Sequence, residues 1–227
     1  MARLLALLIV ITATVARADT AIDPRLIEAG WHELTFDGRA GNRFLARTDG
    51  GIEVVTENSV SVLQRPVAVD LAATPKLTWR WRVDRSVPTT DLSVRGGDDR
   101  SLAIYVAFPF EPERSSALER MYRAIVEQLF GRTAPGRVLN YVWGGVGQRG
   151  EIVPSPYLQG SGMLKILRPG DGPIGVWLTE EVDIAADYRR TFGSKPPHPI
   201  HIAIGADSDD TGSSGRGTVA DLTFVAR

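Results

Sequence analysis

The densest set of chemically capable side chains is Asp207-Ser208-Asp209-Asp210-Thr211-Gly212, directly after the apolar run Ile200 to Ala206. Oxygen donors at alternate positions, followed by a glycine that turns the chain, are how a short loop wraps a hard cation. The match to a helix-loop-helix calcium loop is incomplete. Thr211 stands at the fifth position, Thr218 stands where a bidentate glutamate would close the shell, and no helix pattern flanks the loop. The same residues suit a strand-to-strand turn, in which Asp and Gly supply caps and positive φ. Gly96-Gly97-Asp98-Asp99 contributes two further carboxylates. Its order matches the Gly-Gly-acid-acid turn of nucleotide cyclases, but Arg100 replaces the aromatic residue and the flanking α/β pattern is missing, so that chemistry is excluded. Should Asp98, Asp99, Asp207, Asp209 and Asp210 converge, their repulsion calls for neutralisation by calcium or by arginines. Arg80, Arg82, Arg95 and Arg100 could serve as the arginines.

A second set is aromatic. Trp79 and Trp81 share a strand face with Leu77 and Val83, which makes that face the core side. Tyr141, Trp143, Tyr157 and Trp177 stand near glycine-rich turns and form the expected ligand platform, with Arg80 and Arg82 beside them. Indole and phenol rings on an open face stack against the CH-rich face of a sugar.

Catalytic patterns are sparse. Glu181 and Asp183, in the acidic run Glu180 to Asp187, are the candidates for a hydrolytic carboxylate pair, although acids at a helix start also favour the helix dipole. The chain has no Gly-x-Ser-x-Gly elbow, HExxH or Walker loop. His198 and His201 fall on opposite faces of a strand, which argues against a shared metal. With no cysteine, thiol catalysis, zinc–cysteine sites and disulfides are excluded. A formal net charge of −1 gives no electrostatic reason for a nucleic-acid partner or an anionic membrane.

The elements that must position these groups read mainly as short strands with period-two alternation. They are Trp31 to Phe36, Gly51 to Thr56, Ser59 to Leu63, Pro66 to Leu71, Lys76 to Asp84 and Ser101 to Phe108. Val138 to Trp143, Met163 to Leu167, Ile174 to Leu178, Ile200 to Ala206 and Thr218 to Val225 complete the series. This spacing, without βαβ alternation, predicts a mainly β fold, an antiparallel β-sandwich of jelly-roll type. Two covering helices interrupt it. One starts at the Ser116/Glu119 capping box and stops at Gly131; the other runs from Asp183 to Phe192, with Gly193 as its cap.

Met1 to Ala18 reads as a secretory signal peptide. Arg3 supplies the positive start, Leu4 to Ala16 the apolar stretch, and Ala16-Arg17-Ala18 a small-x-small cleavage site. Cleavage after Ala18 would leave residues 19–227 as one periplasmic or secreted domain with no membrane span.

Several blocks together resemble a bacterial family of exported proteins, domain of unknown function 3047. They are Pro75-x-Leu77-x-Trp79-x-Trp81-x-Val83, Gly97-Asp98-Asp99, Tyr141-Val142-Trp143, Ser155-Pro156-Tyr157, Gly175-x-Trp177 through Phe192-Gly193, and Asp207-x-Asp209-x-Thr211-Gly212 through Phe224. The resemblance implies a single domain without assigned activity. The acidic loop and final strand are also similar to the closing strand of jelly-roll carbohydrate-binding modules, which implies a structural calcium near the chain ends. Three functions remain open: a non-catalytic binder of a glycan or envelope polysaccharide, an envelope polysaccharide hydrolase, and a structural or assembly module.

Overall fold

The alternation of Lys76 to Asp84 is realised as a ten-residue strand whose Leu77, Trp79, Trp81 and Val83 are almost wholly buried. Its neighbours build outward from it. The computed structural model describes residues 21–115, 117, 120, 121, 123, 127, 134–158 and 160–227, so the expected leader lies outside the described residues. In chain order the elements are α1 (Pro24–Glu28), β1 (His32–Thr35), β2 (Arg43–Ala46), β3 (Ile52–Glu57), β4 (Val60–Pro66), β5 (Lys76–Arg85) and β6 (Arg100–Phe108). Then follow β7 (Arg137–Trp143), β8 (Ile152–Pro154), β9 (Gly162–Arg168), β10 (Leu178–Asp183), α2 (Ile184–Phe192), β11 (His201–Asp207) and β12 (Ser214–Val225).

These strands form two sheets, a seven-stranded one in the order β1-β4-β11-β6-β7-β9-β8 and a five-stranded one in the order β10-β5-β12-β3-β2. The fold is a mainly β sandwich, as the alternation predicts. One pair departs from the antiparallel expectation: β7 and β9 run parallel, and the chain between them carries β8. Pro66 to Leu71 forms no separate strand, because β4 ends at Pro66. The strand expected at Ile174 to Leu178 starts only at Leu178. Gly175 sits at φ 74°, and Ile174 and Val176 are exposed.

Indoles fill the space between the sheets. Trp79 and Trp81 meet edge to face at 5.4 Å, Trp81 meets Trp143 across the sandwich at 5.4 Å, and Trp79 meets Tyr141 at 5.8 Å. Such aromatic pairs add to the burial of apolar area that stabilises the fold. Gly217 of β12 permits close approach of the sheets, since a Cβ there would lie 2.6 Å from Leu102. A smaller cluster of Leu92, Ala103, Val142, Leu164 and Ile166 lies on the outer face of the seven-stranded sheet, where Leu92 brings the loop before β6 down onto it.

α2 follows its sequence signals. Asp183 caps its start by accepting from the Ala186 N–H at 2.8 Å, and Gly193 ends it in the left-handed region. Tyr188 packs against Phe108 and Phe192, closing one end of the core. In the helix expected from Ser116, residues 117, 120, 121, 123 and 127 are helical and the others lie outside the described residues. Among the described residues, no helix is long and apolar enough to cross a membrane.

Candidate functional site

Pairing of β6 with β11 is what assembles the acids. Asp98 and Asp99 immediately precede β6, and Asp209 and Asp210 immediately follow β11, so antiparallel register brings both pairs to the same rim. Asp207 stands opposite Arg100, just beyond a register shift after Gly205. All five aspartates expected from the sequence therefore meet.

Their contacts divide the cluster. Arg100 Nη1 binds Asp98 Oδ2 at 2.9 Å and the Asp98 carbonyl, while Nη2 lies 3.3 Å from Asp207 Oδ2. Nε and Nη2 of Arg100 also reach the Tyr105 hydroxyl. Burial works against this guanidinium's charge, yet Tyr105, Asp207 and Asp98 hold it firmly protonated. Asp99, fully buried, accepts from the Thr211 hydroxyl at 2.5 Å, the Thr211 N–H at 2.9 Å and the Asp210 N–H at 3.3 Å. It thereby pins the 207–212 loop to the one preceding β6. Asp209 pairs with Arg39 at 2.5 Å.

Three of the carboxylates gather inside this frame. Asp99, Asp207 and Asp209 place one oxygen each within 4.8 Å of one another. Asp207 Oδ1 is buried and has no hydrogen-bond donor among the described residues. Burial, and the carboxylates of Asp209 and Asp98, push the Asp207 carboxyl up to about 9 against the pull of Arg100. Asp210 is pushed up to about 6 by burial and by its contact with Asp98. An all-oxygen set with an unfilled buried lone pair suits a hard cation.

The arginines doing the neutralising differ from those expected. Arg100 belongs to the cluster, and Arg39, for which the sequence carries no signal, joins it. Arg80 instead pairs with Asp221 at 2.5 Å, and Arg82 with Asp84 at 2.8 Å. Arg95 donates to the Pro156 carbonyl at 3.0 Å and stacks on the Tyr157 ring at 5.3 Å.

The aromatic platform separates into three places. Tyr141 and Trp143 are fully buried between the sheets and present no face to a ligand, because their parity on β7 points inward. Tyr157 is 48% exposed and lies beside the aspartates: burial raises its hydroxyl's pKa, and the charges of Asp98, Asp210 and Asp207 add to that. Trp177 sits on the five-stranded sheet, with Arg80 and Arg82 at 5.1 and 5.2 Å from its ring.

Each acid of the expected carboxylate pair has another partner. Glu181 is tied to Lys76 at 2.6 Å, and Asp183 caps α2. Glu180, which alternation on β10 turns inward, is the buried acid of this region. Arg149, Arg168 and the Trp81 indole N–H all bind it.

No curated protein matches the chain. Among solved structures, the family 11 carbohydrate-binding module of cellulosomal cellulase Lic26A-Cel5E of Clostridium thermocellum is similar over 87% of this chain and 88% of its own, at 11% identity and a TM-score of 0.41. The xyloglucanase domain of NopAA from Sinorhizobium fredii covers 87% and 93%, at 7% identity and 0.46. A family 12 xyloglucanase from Bacillus licheniformis covers 87% and 100%, at 9% identity and 0.47. The family described as "Protein of unknown function (DUF3047)" matches residues 29–223, and the chain belongs to it.

Proposed function

We propose that this protein is an exported, non-catalytic binding protein of the cell envelope. In this reading Asp99, Asp207 and Asp209 hold a divalent cation, calcium by their hardness, and the adjoining surface around Tyr157 binds a glycan. The observation that carries the reading is the donorless, buried Oδ1 of Asp207 beside two other carboxylates. Oxygens sharing one calcium at about 2.4 Å stand at most about 4.8 Å apart, and these three fall within 4.8 Å. The cation offsets repulsion that otherwise favours a proton on Asp207. It also locks the loops on either side of the β6–β11 pair. Tyr157 then offers a half-exposed ring for a sugar face, with Asp98 and Asp210 close enough to feel its hydroxyl.

Thermal unfolding with calcium or chelator tests the cation. Binding to the native state alone stabilises by about 2.7 kcal/mol at a hundredfold excess over Kd, so calcium should raise Tm and a chelator should lower it. An unchanged Tm at millimolar calcium refutes the site. Glycan-array retention without released reducing ends tests the rest. Tyr157→Ala should abolish retention while keeping the calcium shift; retention that survives this change moves the glycan surface elsewhere.

A further inference from the structure

A cavity of about 170 Å³ opens between the two sheets where β12 outruns β3, at the end of the sandwich formed by Trp31, Ile52, Arg65, Ile204, Val219 and Leu222. It forms because pairing of β12 with β3 stops at Val219 opposite Ile52, while β12 itself continues. Asp221, at φ 57°, bulges the strand there, and its register against β5 shifts between Ala220 and Thr223.

Arg65 is an unusual wall. It shares the core face of β4 with buried Leu63, two residues along the strand. The register that sets His32 opposite Gln64 places Trp31 opposite Arg65, and the guanidinium lies 4.9 Å from the Trp31 ring centre. Its Nε is buried with no acceptor, and among the described residues Arg65 has no ion pair. Arg39, Arg47, Arg100, Arg149 and Arg168 all have carboxylate partners. The cavity's own acid, Asp221, is taken by Arg80. Glu33, the next acid on this face of β1, has a buried Oε1 with no hydrogen-bond partner among the described residues, so it does not satisfy Arg65.

We propose that this cavity binds a small apolar anion, an aromatic or branched aliphatic carboxylate. The apolar body fills the space against Ile52, Ile204 and Val219, and the carboxylate neutralises Arg65. The volume suits one ring, since a cavity of about 150 Å³ accommodates benzene. A carboxylate adds the charged hydrogen bond that Arg65 lacks. The site is separate from the aspartate cluster and does not depend on the cation or glycan reading.

The test is titration of the isotopically labelled protein with benzoate, and with toluene as the neutral counterpart of similar size. Benzoate at millimolar concentration should give saturable shifts at the amides of Ile52, Ile204 and Val219. Toluene should bind about tenfold more weakly, the loss of one charged hydrogen bond. Arg65→Gln should erase that preference, and Arg65→Lys should keep much of it. The comparison of the two probes on the unaltered protein stands even if a variant fails to fold. Absence of saturable shifts, shifts mapping elsewhere, or equal affinity for both probes would overturn the proposal.

Discussion

Arg100 and Asp207 face each other across the β6–β11 ladder, and Arg100 Nη2 meets Asp207 Oδ2 at 3.3 Å beneath the surface. One oxygen of Asp207 is thus satisfied by an arginine while the other has none. This half-satisfied carboxylate distinguishes the aspartate cluster from an ordinary surface network, because a buried acceptor without a donor costs about 1–3 kcal/mol.

Asp207→Asn tests that asymmetry. An amide keeps an acceptor for Arg100 and cannot ionise in a site that disfavours the charged form. The cation-free protein should be as stable as the unaltered one or more so, by up to about 1–3 kcal/mol. The calcium-induced rise in Tm should vanish. Unfolding in urea with and without calcium measures both effects.

Glu180 should behave in the opposite way. Its side chain is fully buried and held by Arg168 at 2.6 Å, Arg149 at 2.7 Å and the Trp81 indole at 3.2 Å. Removing one partner of a buried ion pair costs about 3–5 kcal/mol, so Glu180→Ala should lower the urea midpoint by a corresponding amount. A loss below about 1 kcal/mol would mean that solvent compensates the arginines.

Trp143 and Tyr157 separate packing from recognition. Trp143→Ala should cost about 3–5 kcal/mol, as expected for a large aromatic removed from a filled core. Tyr157→Ala, at a half-exposed loop position, should stay within about 0.5 kcal/mol. Chemical denaturation of the two variants side by side decides whether the rings divide in this way.

His201 supplies the pH prediction. Partial burial, and then the nearby His32, hold its pKa below the usual 6.5. The folded protein therefore binds this proton less readily than the unfolded chain does. The resulting stability is fully present above pH 6.5 and is lost as pH falls through the lowered folded value. NMR titration of the imidazole should place its midpoint below 6.5, and His32→Asn should move that midpoint upward.

Much of the architecture is legible in local pattern. Alternation identifies the inward face of β5, and Trp79 and Trp81 are buried on it as their parity with Leu77 and Val83 requires. Asp183 and Gly193 bound α2 where their capping chemistry says they should. β2 and β8, four and three residues long, escape notice because neither carries an alternating apolar run that extends past its ends. Ile174 and Val176 imitate a strand, but Gly175 between them is free to take the positive φ that ends it.

The acids and aromatics show the limit of such reading. Local pattern alone establishes that Asp98–Asp99 precede one strand, that Asp207, Asp209 and Asp210 close another, and that Tyr141 and Trp143 share a strand face. That β6 and β11 are neighbours, that Arg39 reaches Asp209, and that the shared face of β7 is the dry one emerge only in the assembled fold. The reason is physical. Side-chain alternation specifies which residues travel together, whereas backbone hydrogen bonds are alike in every strand pair and name no partner. Partner choice comes from packing the whole set of indoles and aliphatics at once, and the cluster of carboxylates is a consequence of that choice.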